Sequence, residues 1–405
     1  MTNIIRKPSA LFVVSLLILV SFLTVSICGK NLDDDFSRNY KNSAIDIDDE
    51  INAIINGAKI PSLSTCIIKN KSIVWYNGYG KYNKFLRLEP TKNTVYMAGS
   101  VSKAFTATAI MQLHEDGYFD LDEDVSNYLP FILRNPLYPS VPITFKMLLS
   151  HRSSLSVTPL KDLVSFGIVY LFSHKNFPYP ALEWHLIPGG KMYRSDVWTD
   201  KKPGEAFNYS NTGYLILEYL VEQISEESFD DYCKNNIFNP LNMKNSSFCF
   251  RDIKRIQRAV PYLLKGNFHI RLPFYDVPKS GAGGLFTSVE DLSHFLIAHM
   301  NNGTYNNTRI LDNSSVELMH TLYSKNTNSG VLNYTYGLGW MFFNISGMIY
   351  QGHDGDTPGF TARMVYCEKN ETGIIFFFNR NRSSEEDINL CDKLVEILCE
   401  KSEEF

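Results

Sequence analysis

Hydrophobic residues are grouped in short β-branched and aromatic runs near both ends of the chain, and these runs predict strands. At the amino-terminal end, runs at 64–69 and 72–76 flank Asn70-Lys71, an arrangement typical of a hairpin. At the other end, runs at 360–366 and 373–378 are separated by a short polar turn. We therefore expect a pair of strands from each end of the chain.

Elsewhere, apolar residues recur at helical spacing. The predicted helices span residues 45–55, 104–113, 143–149, 212–225, 229–237, 289–300 and 388–398. Strands at both ends with helices between them fit an α+β fold, in which strands from both chain ends share an antiparallel sheet flanked by helices. We predict a single domain over 30–405, with a mostly helical second lobe at about 118–285.

The first thirty residues have a different pattern. Arg6 and Lys7 precede an apolar stretch at 11–27, which ends at the small residues Cys28 and Gly29. This order is typical of a secretory signal peptide. The stretch is also close to the roughly 17 to 20 apolar residues that a membrane-spanning helix needs. Residues 1–29 are therefore predicted to be a signal peptide or an uncleaved N-terminal anchor.

Two other features agree with export. Without Cys28 the chain has six cysteines, an even number that suits disulfides in an oxidising compartment, with buried thiols as the alternative. Glycosylation sequons begin at Asn70, Asn245, Asn302, Asn306, Asn313, Asn333, Asn344, Asn370 and Asn381. The sequence therefore predicts a disulfide-bonded glycoprotein that is secreted or lies in an endomembrane, lysosome-like lumen.

Composition limits the function classes. The 405 residues are 44% hydrophobic and 20% charged, which is enough apolar material for a large core. The net charge is −4 and there is no long basic run or P-loop, so the sequence does not indicate a partner that is a nucleic acid or a nucleotide.

Ser100 and Lys103 form the only S-x-x-K motif in the chain, where a loop meets the predicted helix at 104–113. Residues three apart lie on one face of a helix, so the Lys103 amine can reach the Ser100 hydroxyl. A serine hydroxyl becomes a good nucleophile when a neighbour removes its proton, and burial can lower the pKa of a lysine enough for that task. The helix amino terminus also favours a developing oxyanion.

The alternative for the S-x-x-K motif, taken alone, is a surface serine and lysine on an ordinary helix. Two further motifs are also weak when taken alone. Tyr209 and Asn211 form a Y-x-N motif in which the phenol can act as a base and the amide can orient a carbonyl. His353 and Gly355 form an H-x-G motif ahead of a predicted strand, where the imidazole can hold one side of a substrate. A half-buried tyrosine in a turn and a structural histidine in a glycine-rich loop are the alternatives.

In the order S-x-x-K, Y-x-N and H-x-G, the sequence resembles the serine β-lactamase and penicillin-binding-protein superfamily, particularly class C β-lactamases and related D-aminopeptidases and esterases. The resemblance covers residues from about 45 to 400. Further matching segments lie at 143–151, 203–211, 237–243, 283–285, 336–340 and 357–360.

The resemblance implies roles for the motif residues. Ser100 would form an acyl-enzyme, Lys103 and Tyr209 would move its proton, and Asn211 would orient the substrate. The expected partner is a small ester, amide or peptide. No metal or organic cofactor is implied.

The H-x-G segment would complete the site. By resemblance, His353 takes the position of a lysine, Gly355 leaves room for substrate, and the backbone N–H groups of Ser100 and Asp356 form the oxyanion hole. A histidine is mostly neutral at pH 7. We therefore expect weak recognition of penicillin-like acids, with better recognition in acidic compartments.

Two departures from the family pattern affect the structure. Asn242 stands where a glycine is usual, and asparagine tolerates the positive φ of such a turn. Residues 157–202 match nothing and predict either a hydrophobic lid over the site or a helical insertion with its own core. Their aromatic residues are Phe166, Tyr170, Phe172, Phe177, Tyr179, Trp184, Tyr193 and Trp198.

These observations predict a serine hydrolase in which esterase or peptidase activity is favoured over β-lactamase activity. The alternative is a catalytically silent or assembly-forming member of the fold that binds or supports other molecules. The intact motif at Ser100 and Lys103 favours the enzyme.

Overall fold

The structure is a computed structural model that describes residues 47–156, 180–277, 281–325, 334–382 and 384–405. Nine helices lie within these residues: α1 Ile47–Gly57, α2 Ser102–Glu115, α3 Phe145–Leu149, α4 Pro180–Leu186, α5 Asn211–Ser225, α6 Phe229–Cys233, α7 Val289–Met300, α8 Asn313–Met319 and α9 Glu385–Ser402. The strands of the described part are β1 Ser62–Lys69, β2 Ser72–Gly80, β3 Tyr96–Met97, β4 Tyr262–Lys265, β5 Phe268–Arg271, β6 Phe286–Thr287, β7 Thr304–Tyr305, β8 Thr308–Arg309, β9 Ser324–Lys325, β10 Tyr334–Tyr336, β11 Met341–Ile345, β12 Met348–Thr357, β13 Phe360–Cys367 and β14 Thr372–Phe378.

Eight of these strands form one sheet in the order β2-β1-β14-β13-β12-β11-β10-β9, and every neighbouring pair is antiparallel. The two chain ends pair with each other one strand in from the β2 edge, where Leu63 pairs with Phe378 and Lys69 with Thr372. The predicted α+β fold with a shared terminal sheet is therefore confirmed. The division into one domain with a lobe at about 118–285 stays a prediction.

Apolar side chains cover both faces of this sheet. On one face, α1 and α9 bury residues such as Ile51 and Leu394 against Phe376 and its neighbours. On the other face, α2, α5 and α7 share a larger core that includes Phe105 and Phe295. Strands β13 and β14 are buried along their whole length, because helices lie against both of their faces.

Most element boundaries follow local chemistry that can be recognised in the sequence. The hairpin turn has positive φ at Asn70 (49°) and Lys71 (60°), and Asn242 also takes a positive φ (55°), as expected. The helix expected at 143–149 starts later, because Thr144 caps it by accepting a hydrogen bond from the Met147 N–H. The helix expected at 229–237 ends at Cys233 and continues as a single π turn, Lys234–Phe238.

The disulfide prediction is wrong for this structure. All six cysteines after Cys28 lie in the described part of the chain, and each is a free thiol: Cys66, Cys233, Cys249, Cys367, Cys391 and Cys399. Most of them pack as small apolar groups in different cores. Burial raises the pKa of the Cys391 thiol to about 11, which keeps it protonated. An even number of cysteines does not bring their sulfur atoms together.

No helix in the part of the chain that the structure describes is long and apolar enough to cross a membrane. Residues 1–46, with the predicted signal peptide or anchor, lie outside the described residues.

Candidate active site

Ser100 lies in a tight turn that leads directly into α2. The turn is a single 3-10 segment, Gly99–Val101, and Gly99 has a positive φ of 54°. The Ser102 hydroxyl donates to Gly99 O (2.6 Å) and accepts from the Leu285 N–H (3.0 Å). These two bonds fix the turn, so Ser100 is held at the amino end of a buried helix.

Lys103 is fully buried one turn further along, and its amine has three close neighbours. Nζ lies 3.0 Å from Ser100 Oγ, 2.8 Å from Asn211 Oδ1 and 2.6 Å from Ala282 O. Burial lowers the pKa of Lys103 well below its ordinary value. The two carbonyl oxygens can only accept hydrogen bonds, so a neutral amine gives them its two N–H groups. Its lone pair then faces the Ser100 hydroxyl.

Two side chains position the carbonyl oxygen of Ala282, and neither was predicted from the sequence. The Gly281 N–H donates to the buried Glu218 carboxylate (2.8 Å), and the Thr106 hydroxyl donates to Gly281 O (2.7 Å). Glu218 therefore ties the segment that begins at Gly281 to helix α5, beside α2. The only sequence signal for this contact was the family-like glycine segment at 283–285.

Tyr209 lies against the same amine, with its ring centroid 4.9 Å from Lys103 Nζ. His151 packs beside the Tyr209 ring (4.3 Å between centroids), and its Nδ1 accepts a hydrogen bond from the Ser210 N–H (3.1 Å). Burial and the nearby Lys103 lower the pKa of His151, which therefore stays neutral with its proton on Nε2. His151 thus holds the loop that presents Tyr209 and Asn211, a role that the sequence did not reveal.

Two glycines allow β12 to cross the turn at Ser100 at very short range. A Cβ on Gly355 would lie 1.9 Å from Ala98 O and 3.2 Å from Ser100 N, and one on Gly99 would lie 2.7 Å from Asp356 N. No other residue type fits at either position without moving the backbone. The crossing therefore places β12 directly against the turn that carries Ser100, and an oxyanion hole formed by the Ser100 and Asp356 N–H groups stays a prediction.

We expected His353 to face the cleft, but it does not. It is fully buried, its Nε2 accepts from the Tyr336 hydroxyl (2.9 Å), and its Nδ1 donates to Asp354 O (2.6 Å). Burial, with Lys103 nearby, lowers the pKa of His353 to about 3. This lowered pKa argues against the expected gain of charge in an acidic compartment, because a histidine with such a pKa is neutral at pH 5.

A cleft of about 200 Å³ opens beside Ser100. Its walls are Ser100, Tyr209, Met341, Phe343, Asp354, Asp356 and Arg382. Arg382 was not predicted, and it brings a cation to the cleft by donating to Asp354 Oδ2 (2.7 Å). Asp354 also binds the buried Arg363 through both oxygens (2.6 and 2.8 Å). Although burial opposes ionisation, the two guanidinium groups hold the pKa of Asp354 well below its ordinary value.

The aromatic-rich segment at 157–202 is described only in its second half, since residues 157–179 lie outside the described part. Leu186 and Trp198 in that half are buried in the large core, and the Trp198 indole N–H donates to Leu186 O (3.2 Å). The described half therefore packs into the main core, and a lid role for the segment stays a prediction.

Comparison with known proteins agrees with this architecture. Residues 47–393 match the beta-lactamase family. The protein flp of Staphylococcus aureus (strain N315) is 27% identical over 336 residues, which are 83% of this chain and 63% of flp. The chain thus spans less than two thirds of the length of this relative.

Solved structures share the fold. The octameric penicillin-binding protein homologue from Pyrococcus abyssi is 30% identical with a TM-score of 0.71, over 84% of this chain and 73% of that one. The D-amino acid amidase from Ochrobactrum anthropi SV3 is 20% identical with a TM-score of 0.66, over 88% and 100% of the two chains, and shows the fold alone. With a family match over most of its length and this shared fold, the chain belongs to the beta-lactamase family of serine hydrolases.

Proposed function

We propose that the protein is a serine hydrolase that forms an acyl-enzyme on Ser100 with a small ester, amide or peptide. The observation that carries this proposal is the 3.0 Å contact between Lys103 Nζ and Ser100 Oγ. The amine has two acceptor-only neighbours, Asn211 Oδ1 and Ala282 O, so its lone pair is directed at the hydroxyl. A buried amine with a lowered pKa in this position can act as a general base.

In the acylation step, Ser100 Oγ attacks the substrate carbonyl carbon while its proton passes to Lys103 Nζ. The carbonyl electron pair moves to the oxygen, which the backbone N–H groups of Ser100 and Asp356 stabilise. When the intermediate collapses, the bond to the leaving group breaks. Lys103 then returns its proton to the leaving oxygen or nitrogen through the Tyr209 hydroxyl.

In the deacylation step, water attacks the acyl carbon and gives one proton to the pair formed by Tyr209 and Lys103. The bond between Ser100 Oγ and the acyl carbon then breaks, and the proton returns to Oγ. The products are the free acid and the restored enzyme, so protons and electrons balance without any co-reactant.

The walls of the cleft support a small substrate. Met341 and Phe343 provide apolar contact on one side of the cleft. Arg382 provides a cation that can bind a carbonyl or carboxylate group of the substrate. His353 is neutral and buried where class C β-lactamases carry a lysine. Esterase or peptidase activity is therefore favoured over β-lactamase activity. The layout of residues 1–29 supports a secreted or endomembrane location.

The test is covalent labelling with a fluorophosphonate probe, with the adduct located by peptide mapping. Wild type should carry the label on Ser100, Ser100→Ala should carry none, and the exposed Ser346→Ala should be labelled like wild type. Circular dichroism spectra would show that each variant is folded. A folded wild-type protein that stays unlabelled from pH 5 to pH 8 would contradict the proposal and favour the silent member of the fold.

A further inference from the structure

Two neighbouring loop tips each present a phenylalanine to solvent. The first tip is the loop at 83–88, which is closed by a bridge between Asn83 and Leu88 and carries Phe85, whose surface is 85% exposed. The second is the β4–β5 hairpin, whose turn at Gly266 precedes Phe268, which is 78% exposed. A single exposed apolar side chain is common on a protein surface, whereas exposed apolar side chains grouped on one surface mark an interaction site.

Hydrogen bonds hold the two tips in a fixed relation. The Lys84 N–H donates to the Tyr262 hydroxyl (3.1 Å), and the Lys84 amine lies 3.0 Å from His269 Nδ1. His269 Nε2 donates to Lys59 O (2.7 Å), and the Lys59 amine donates to Asn267 Oδ1 (2.6 Å). The loop and the hairpin are therefore presented together as one surface.

A third segment extends this surface. The Tyr82 hydroxyl donates to Ile256 O (2.5 Å), so the segment at 251–258 lies beside the loop at 83–88. Ile256 is itself exposed and is flanked by the exposed Lys254 and Arg255. We call the whole surface the basic aromatic patch, and it consists of Lys59 with residues 81–89, 251–258 and 262–271.

The patch is strongly cationic on a chain whose net charge is −4. Its ten cations are Lys59, Lys81, Lys84, Arg87, Arg251, Lys254, Arg255, Arg258, Lys265 and Arg271. Its two acids are Glu89, which forms an ion pair with Lys81, and Asp252, which accepts from the Ser247 hydroxyl. The rest of the chain is therefore net negative, and the positive charge lies on the segments that carry Phe85, Ile256 and Phe268. Asp276, outside the patch, interacts electrostatically with Arg251 and Arg258.

We propose that the basic aromatic patch docks the protein on an anionic phospholipid surface. Membrane sites that lie at the lipid interface combine exposed aromatic and aliphatic side chains with surrounding lysine and arginine residues. The apolar groups enter the headgroup region, and the cations bind anionic headgroups. Phe85 and Phe268 project from loop tips with most of their surface in solvent, which suits insertion into a soft interface. The concentrated charge supplies the electrostatic complementarity.

The test is flotation of the full chain with vesicles of phosphatidylcholine alone, or of phosphatidylcholine and phosphatidylserine in a seven-to-three ratio. We expect binding to the anionic vesicles to be about tenfold stronger or more, and to weaken as salt is raised. Phe85→Ser/Phe268→Ser should weaken it by about tenfold. Lys254→Glu/Arg255→Glu should remove most of the preference for anionic vesicles.

The matched control is Ile132→Ser/Leu137→Ser, since these side chains are 70% and 65% exposed in another part of the chain. This variant should bind like wild type, and thermal unfolding would show that every variant folds. The apolar stretch at 11–27 and its flanking Arg6 and Lys7 are the same in all variants, so their contribution to vesicle binding cancels when each variant is compared with wild type.

Three results would overturn the proposal. The first is the same binding to both vesicle types. The second is binding to anionic vesicles that the substitutions at Phe85 and Phe268 leave unchanged, together with binding to heparin that is as strong as binding to these vesicles. This result would assign the cations to a soluble polyanion. The third is self-association that these substitutions abolish without any vesicle binding, which would assign the patch to a second copy of the chain.

Discussion

Replacing His353 by glutamine isolates one contribution to the acid sensitivity of the fold. His353 is fully buried and neutral, accepting from the Tyr336 hydroxyl and donating to Asp354 O. A glutamine amide also offers one acceptor and a donor, so it can keep both neutral hydrogen bonds. The substitution therefore removes the titratable group with little change in polarity.

The size of the effect follows from the two pKa values. Burial, with Lys103 nearby, lowers the pKa of His353 to about 3 in the folded protein, against about 6.5 in the unfolded chain. The unfolded chain therefore binds the proton first, and the contribution to stability is complete above about pH 6.5 and is lost as the pH falls. At pH 5 this loss amounts to about 2 kcal/mol of the free energy of unfolding.

Urea unfolding of wild type and His353→Gln at pH 7.5 and pH 5 measures the difference. Asp356 and the other titratable groups are present in both proteins, so their contributions to the pH dependence cancel. We expect wild type to lose about 2 kcal/mol more than the variant between the two pH values. Equal losses in the two proteins would refute the reasoning, because they would show that His353 accepts a proton while the protein is folded.

Three other substitutions test separate parts of the structure. Lys103→Arg should lower kcat/KM for a p-nitrophenyl ester by about 10²–10⁴. The wild-type rate should rise with pH as the Lys103 ammonium, whose pKa is lowered by burial, loses its proton. A nearly normal rate in the variant would exclude Lys103 as the base. Arg382→Gln should raise KM by about tenfold for substrates that carry a carboxylate, with kcat nearly unchanged, and an equal rise for uncharged substrates would argue against this contact. Asn242 has a φ of 55°, so Asn242→Val should lower the free energy of unfolding in urea by about 1–2 kcal/mol, while Asn242→Gly should change it little. An equal decrease in both variants would show that backbone conformation is not the cause.

Local pattern was enough to predict that the proposed nucleophile and its proposed base lie close together. Ser100 and Lys103 are three residues apart at a helix start, and that spacing alone puts the two side chains within reach of each other. Asn211 required the family resemblance, because 108 positions separate it from Lys103 and no local rule brings them together. The hairpin and the closing helix were also predictable, since apolar period and turn residues determine them.

Other contacts had no signal in the sequence. The carbonyl of Ala282 is a backbone atom, and any residue type there would supply it. The orientation of His353 could not be predicted either. Strand β12 is covered on both faces at His353 and Asp354, so buried and exposed residues do not alternate there. Arg382 reaches the cleft only because Asp354, 28 positions earlier, holds its guanidinium group.

The pairing of β1 with β14, from opposite ends of the chain, has a consequence for synthesis. The hydrogen bond from Thr65 to Ile375 O joins residues 310 positions apart, so a ribosome that adds about 5–20 residues per second needs roughly 15–60 s between making the two strands. Throughout that interval, the first hairpin exists with one edge unpaired, and such an edge can pair with another nascent chain. The sheet closes only when the last strands arrive. Removing even the final strand and helix should therefore yield an aggregate and not a smaller folded protein.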